Sequence, residues 1–243
     1  MKNKIALVTG GTSGIGKEIV KELLKEGLKV YAVYLSNDDQ CHIAKEQLTE
    51  YKDQLTFIKV DISKETEVKE LFTKLDKLDY LVNNAGTNVD ENIEDANLDT
   101  YMKVINTNLI GKMLCIKYAI PLLRESSCAS IINISSSLGV KPTTECSAYC
   151  CAASAIHTLT ICAALELADD NIRVNTISPA FTPTPLSLSW WTEAEIEEKK
   201  KRNPRHRLGK VEDIANTVLF LLSDKADYIN GENIRVNGGS LLK

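Results

Sequence analysis

Short runs of β-branched and apolar residues alternate along the chain with longer amphipathic stretches. Ile5–Val8, Val30–Tyr34, Leu55–Val60, Tyr80–Val82, Ile131–Ile134, Arg173–Ile177 and Asn233–Val236 read as seven strands. The stretches between them read as helices. Gly16–Glu26 carries Ile19, Val20, Leu23 and Leu24 on one face, and Ala148–Ala168 is apolar on nearly every side. Strands apolar on both faces require helices above and below them, which predicts a doubly wound, seven-stranded parallel sheet of the Rossmann α/β class. No linker, repeat or low-complexity tract divides residues 1–243, so a single domain is expected.

One segment interrupts the alternation. Residues 179–203 hold Pro179, Pro183 and Pro185, then Trp190-Trp191, then a charged helix, and read as an insertion above the sheet that acts as a substrate loop or lid. The two tryptophans fit core positions as well as a lid over an apolar pocket. Glu195/Lys199, Glu197/Lys201 and Glu198/Arg202 stand at i,i+4 with Glu first, the order that stabilises a solvated helix, so the Lys199–Arg202 run reads as salt-bridged surface.

Composition narrows the function. The chain's 29 Lys plus Arg against 33 Asp plus Glu leave a formal charge of −4, with no basic stripe for nucleic acid or anionic membrane. Only five apolar or small residues precede Thr9, too few for a secretory signal, and no uninterrupted apolar run reaches the length of a membrane span. The seven cysteines are odd in number and lack C-x-x-C spacing, and the three histidines lie far apart. No disulfide framework or metal site is expected, and a reduced, cytoplasmic setting is.

Thr9-Gly10-Gly11-Thr12-Ser13-Gly14-Ile15-Gly16 joins the first strand to the first helix. Glycines there permit a tight turn, let backbone approach a pyrophosphate, and leave helix N-terminal N–H groups facing the anion. Glycine spacing alone also fits a purely structural turn; its position as the first βα connection favours a nucleotide site.

These eight residues resemble the T-G-x-x-x-G-x-G signature of the short-chain dehydrogenase/reductase family, and the resemblance runs almost end to end. Asn83-Asn84-Ala85-Gly86 is similar to its N-N-A-G motif. Arg207–Ile214, Ile229-Asn230-Gly231 and Val236-Asn237-Gly238-Gly239 resemble its C-terminal landmarks. The resemblance implies a nicotinamide dinucleotide cofactor. It implies cofactor contacts at Gly10, Thr12, Ser13, Ile15, Gly16, Tyr34, Ser36, Asn84, Ala85, Gly86, Ala153, Pro179, Thr182 and Thr184, and at Asp61-Ile62 beside the adenine. Asp61 also fits the N-cap region of the next helix. Tyr34-Leu35-Ser36-Asn37 offers neither the carboxylate that repels a 2′-phosphate nor an arginine that attracts one. Ser36 and Asn37 can hydrogen-bond a phosphate, so NADP is preferred to NAD.

The same resemblance implies catalytic roles for Tyr149, Ser136 and Asn108: proton donor to the carbonyl oxygen, partner of that oxygen, and anchor of the proton relay. It also exposes a departure. The family's Y-x-x-x-K motif has Ala153 where its lysine lowers the tyrosine pKa and binds the nicotinamide ribose, and no lysine lies between Lys141 and Lys199 to replace it by a register shift. A tyrosine at its reference pKa of about 10 is about one part in a thousand ionised at pH 7, so a slow enzyme is expected. Ala153 fits a lineage that changed its chemistry and equally an introduced disabling replacement. The intact remainder of the site favours an enzyme that carries or tolerates the change. His157, one turn further, reads as a packed helix histidine, and vicinal Cys150-Cys151 as helix packing rather than a redox pair.

The resulting expectation is an NAD(P)-dependent oxidoreductase interconverting a carbonyl and a secondary alcohol, similar to the 3-oxoacyl-thioester reductases. Ser127 and Asp170 stand where such reductases commonly place arginines for an acidic carrier protein, so a small ketone or biosynthetic intermediate is the preferred substrate. The pocket is expected from Leu138–Thr144, Asn88 and the 179–191 loop. Two other readings remain: a non-catalytic dinucleotide-binding or scaffolding protein, and a non-redox dehydratase or isomerase on the same fold. Relatives assemble as tetramers or dimers through the helix starting near Ala148 and the last strand, which the all-round apolar character of that helix matches.

Overall fold

The computed structural model describes residues 1–184 and 192–242. Seven strands, β1 (Ile5–Thr9), β2 (Lys29–Tyr34), β3 (Leu55–Lys59), β4 (Tyr80–Asn83), β5 (Ser130–Ile134), β6 (Arg173–Pro179) and β7 (Asn233–Val236), form one parallel sheet in the order β3-β2-β1-β4-β5-β6-β7. Among the described residues the helices are α1 (Gly14–Lys25), α2 (Asp38–Gln47), α3 (Glu65–Thr73), α4 (Leu98–Ile105), α5 (Gly111–Arg124), α6 (Ser147–Glu166), α7 (Glu193–Arg202) and α8 (Val211–Leu222). The doubly wound expectation holds, with strand ends shifted by a residue or two.

Strand alternation sends side chains to two separate cores. Leu7, Leu81, Ile131 and Val174 pack under α3, α5 and α6, while Ala6, Val8, Val82, Ile132 and Ile177 pack under α1 and α8. The α6 side contains one polar rung. Asn83 stands opposite Asn133, and Asn133 opposite Thr176. Asn83 Nδ2 donates to Asn133 Oδ1 at 3.0 Å, Asn133 Nδ2 to Thr160 Oγ1 of α6 at 2.9 Å, and Thr160 and Thr176 hydroxyls meet at 2.7 Å. A one-residue slip of β5 would put Asn133 into the opposite, apolar core, so this rung fixes register.

One local expectation, the ion pairing along α7, is corrected. By length and composition, α6 is long and apolar enough to cross a membrane, because alanine, cysteine and threonine keep its mean hydropathy high. In the fold it lies along β6 with Ala152, Ile156, Thr160 and Ala163 buried. On α7, only Glu198/Arg202 forms its i,i+4 ion pair as expected. Glu197 takes Lys200 instead, the Glu195 carboxylate accepts Thr192 N and Oγ1 in a capping box, and Lys199 lies over the Phe181 ring. Pro185, Trp190 and Trp191 lie outside the described residues.

Candidate active site

The strand order reverses between β1 and β4, and at this switch point the carboxyl ends of the sheet open a crevice. The β1–α1 turn forms one wall. Gly10 has φ +68° and Gly14 φ +51°, conformations that side chains disfavour. A Cβ on Gly16 would collide with the Gly10 carbonyl, and one on Gly14 with the Thr184 side chain at 2.9 Å. Thr12 is buried, Ser13 is the N-cap of α1, and Ile15 packs into the α1 core.

The N-terminus of α1 differs from those of α2 and α4. Asn37 and Asn97 side chains cap the latter two, which also carry aspartates in their first turns; Ser13 makes no side-chain cap and the first turn of α1 holds no acid. Its N–H groups are thus left for an external anion, as a dinucleotide pyrophosphate requires.

Thr9 ties this wall to the next. Its Oγ1 accepts the Asn84 and Ala85 N–H groups at 3.0 Å each, and Asn84 Nδ2 donates to Thr9 O at 3.0 Å. Gly86 follows, with Asn108 Oδ1 3.4 Å from where its Cβ would stand. The buried Asn108 clamps Thr87: Oδ1 accepts Thr87 N and Nδ2 donates to Thr87 O, both at 2.8 Å. Asn108 lies within a π-type turn, Asn106–Ile110, between α4 and α5. Such turns displace the local hydrogen-bond ladder and recur at functional sites.

The adenosine end differs in detail from expectation. At the close of β2, Ser36, Asn37, Asp38 and Asp39 line an open recess. Asn37 Oδ1 is occupied by Gln40 N. Lys59 Nζ binds Asp38 Oδ2 at 2.7 Å and holds its carboxyl below the usual range. Burial, together with the neighbouring Cys41 and Asp38, pushes the Tyr34 hydroxyl up to about 12. Asp61 Oδ1 accepts Ser63 N and Oγ in a local turn ahead of α3, whose N-cap is Lys64 with no side-chain cap. Ile62 is buried against Gly111.

Three serines end β5, each with a different task. Ser135 Oγ donates to Ala153 O at 2.8 Å and contacts His157 Nε2 at 3.2 Å; Ser137 Oγ donates to Pro179 O. Ser136 Oγ accepts Leu138 N at 3.1 Å and lies beside the Tyr149 hydroxyl. Burial pushes the Tyr149 hydroxyl above its ordinary value, the neighbouring Ser136 opposes that, and nearby Cys150 and Cys146 add to it. No ammonium acts on it among the described residues. Ala153 is buried one turn further along α6, and Gly139 abuts its backbone.

His157 belongs to a closed polar cluster, with Nε2 3.1 Å from Ser178 Oγ and 3.2 Å from Asn233 Nδ2, and burial lowers its pKa. This is the packed helix histidine the sequence suggested. Cys150 is buried, Cys151 exposed, and both thiols are free. On the remaining side, Thr182 Oγ1 donates to Ala180 O at 3.0 Å, and Thr184 covers Gly14. No cluster of potential metal ligands occurs among the described residues.

The sequence reading passed over Lys112. Its side chain is wholly buried, and its Nζ donates to Ile134 O at the end of β5. The signal was present: Lys112, Cys115, Ile116 and Ala119 share the helical spacing of one buried face.

Residues 10–240 match a family model described as enoyl-(acyl carrier protein) reductase. The chain is 34% identical to a 3-oxoacyl-[acyl-carrier-protein] reductase FabG of Staphylococcus epidermidis, over 99% of this chain and all of the relative. It is 35% identical to the protein of that name from Staphylococcus aureus, over 98% of each. A 2,5-dichloro-2,5-cyclohexadiene-1,4-diol dehydrogenase LinX of Sphingobium indicum is 34% identical, over 98% of this chain and 96% of the relative.

Proposed function

The chain belongs to the short-chain dehydrogenase/reductase family and is a nicotinamide-dinucleotide-dependent oxidoreductase, and we propose that it reduces a small ketone, or oxidises the matching secondary alcohol, with Tyr149 as acid or base. The observation that carries this is the placement of Ser136 against the buried Tyr149 hydroxyl at the carboxyl end of β5, with the Thr87–Asn108 clamp at the same end of the sheet.

Gly10, Gly16 and the uncapped start of α1 fit a pyrophosphate, with Thr12, Ser13, Ile15 and Thr184 around it. Ala85 and Gly86 border the nicotinamide end, and Pro179 and Thr182 its far side. The cofactor, when bound, supplies or takes the hydride at the carbonyl carbon. Tyr149 Oη gives its proton to the carbonyl oxygen as that carbon is reduced, and Ser136 Oγ holds the oxygen. Asn108 fixes the floor through Thr87 and opens the relay by which Tyr149 regains a proton. Without a cation at position 153, Tyr149 is poorly ionised, so reduction outruns oxidation at neutral pH.

The preference for NADP rests on the missing acid at the end of β2. Asp38 and Asp39 in the recess weaken that preference, while Lys59 partly offsets them. The enzyme takes both dinucleotides, with NADPH favoured modestly. Asp170 binds Arg124 Nε at 2.8 Å, so the neighbouring guanidinium is engaged within the chain; this supports a small free substrate over a carrier-bound one. Leu138–Thr144, Asn88 and the described residues 179–184 border the pocket.

Seven free thiols support a reduced, cytoplasmic setting. Ile161 and Leu165 stay exposed on α6 although its other face is buried, which supports a homodimer or homotetramer built on that helix.

The test is nicotinamide absorbance with NADPH or NADH and a ketone panel, on this chain and on Ala153→Lys. Turnover that is slow in the parent and rises roughly 10-fold or more in the lysine variant supports the reading. Dinucleotide binding with no turnover in either overturns it in favour of a binding or non-redox protein.

A further inference from the structure

Lys112 is a buried ammonium for which the reaction as described has no use. It is 4% exposed, and among the described residues its one hydrogen-bond acceptor is Ile134 O, with no carboxylate beside it. Burying an ammonium on a single carbonyl costs more than an apolar residue of the same volume, so packing alone does not account for it.

Its location is specific. Ser135 N donates to Ile177 O of β6. By strand alternation the Ile134 carbonyl therefore faces β4. That side is vacant, because β4 pairs with β5 only as far as Asn83 opposite Asn133, after which Thr9 draws Asn84 away. Lys112 reaches into this gap from the first turn of α5, four residues after Asn108 and immediately beyond the π-type turn. Its ammonium therefore lies beneath the site floor, between Asn84–Gly86 and Ser136.

We propose that Lys112 is the basic residue of this active site, a proton-relay and positioning lysine that enters from α5 in place of the one that Ala153 replaces on α6. The inference rests on the oxidoreductase reading above. In each reduction Tyr149 loses one proton to the carbonyl oxygen. The Lys112 ammonium releases one toward the resulting phenolate by way of the polar floor and regains one from solvent, so each turnover consumes one solvent proton. Burial pushes the Lys112 pKa down to about 7, with only Cys115 opposing, so the group exchanges protons near neutral pH. Lys112 and Tyr149 do not shift one another, so any proton passing between them crosses the intervening polar groups.

The test uses Lys112→Met, which keeps the volume and removes the proton carrier, and the double variant Lys112→Met/Ala153→Lys. Reduction of ethyl acetoacetate by NADPH is followed across pH, with melting temperature as a check on folding. The expected result is a kcat lowered about 30-fold or more in Lys112→Met at a KM within about threefold, loss of the ionisation near pH 7 from the rate profile, and recovery in the double variant. A Met variant that melts higher yet keeps parental kcat and pH profile overturns the inference while leaving the oxidoreductase reading intact. A Met variant that fails to fold, with a double variant no faster than the parent, overturns it as well and assigns Lys112 to the fold. A parent that reduces no ketone overturns the underlying reading, and this inference with it.

Discussion

Ser136, just past the end of β5, stands against the Tyr149 hydroxyl, and no carboxylate or ammonium acts on the tyrosine among the described residues. As proposed, Tyr149 therefore serves as an acid at neutral pH, burial holding its ionisation above the ordinary tyrosine range. Oxidation of the alcohol is expected to rise with pH through and beyond that range, while reduction does not rise on that side. Tyr149→Phe should lower reduction by about 10²- to 10⁴-fold and leave dinucleotide affinity within about threefold. Rate profiles in both directions and a fluorescence titration check this; an alkaline limb that survives in the Phe variant assigns it elsewhere.

Gly16 admits no side chain, since an added Cβ meets the Gly10 carbonyl and the Asn84 amide. Gly16→Ala should cost on the order of 2 kcal/mol or more of stability and weaken dinucleotide binding about 100-fold, because the turn must open to accommodate it. Calorimetry with and without NADPH checks both. Gly27→Ala, far from the site and at positive φ (+80°), should destabilise the fold without changing affinity.

Cofactor discrimination should be weak. The recess at the end of β2 holds Asp38, Asp39 and the Lys59 cation. A kcat/KM preference for NADPH over NADH below about tenfold is expected, corresponding to less than about 1.4 kcal/mol. Asp39→Ala should widen it, since that carboxylate opposes a 2′-phosphate, whereas Lys59→Ala should narrow or invert it. Steady-state kinetics with both dinucleotides decide; a hundredfold preference either way would contradict this account of the recess.

Lys112 also makes stability depend on pH. Its folded pKa of about 7 lies below the ordinary value of 10.5, so between these the unfolded chain binds more protons and stability rises with pH. Cys115, pushed up to about 12 from an ordinary value of 9.0, works the other way above about pH 9. From pH 7 to 8.5 the parent should gain on the order of 2 kcal/mol. Lys112→Met should be more stable at pH 7 and lack that slope. Urea denaturation across this window measures it.

The sheet was legible because parallel strands buried on both faces leave unmistakable β-branched runs, and the glycine turn because only glycine tolerates its backbone. What stayed hidden depends on side chains meeting across the sheet. Asp38 lies just past the tetrapeptide that decides the cofactor and acts through Lys59, from the neighbouring strand. Asp61 is spent on Ser63. Lys112 sat in plain view on an apolar helix face, but lysines are so commonly solvated that spacing alone gave no reason to place its charge inside. On α7 the i,i+4 rule anticipated three pairs, but capping and a stacking ring claimed two of the partners.

Thr9 joins the glycine turn to the Asn84–Gly86 turn through two N–H groups on a single hydroxyl. Alanine or valine there would strand both donors, so the nucleotide side and the carbonyl side of the crevice cannot diverge independently. A lineage adapting this scaffold to a new substrate is held to its old cofactor by one oxygen atom. Novelty is left to segments that do not touch it, such as residues 138–144.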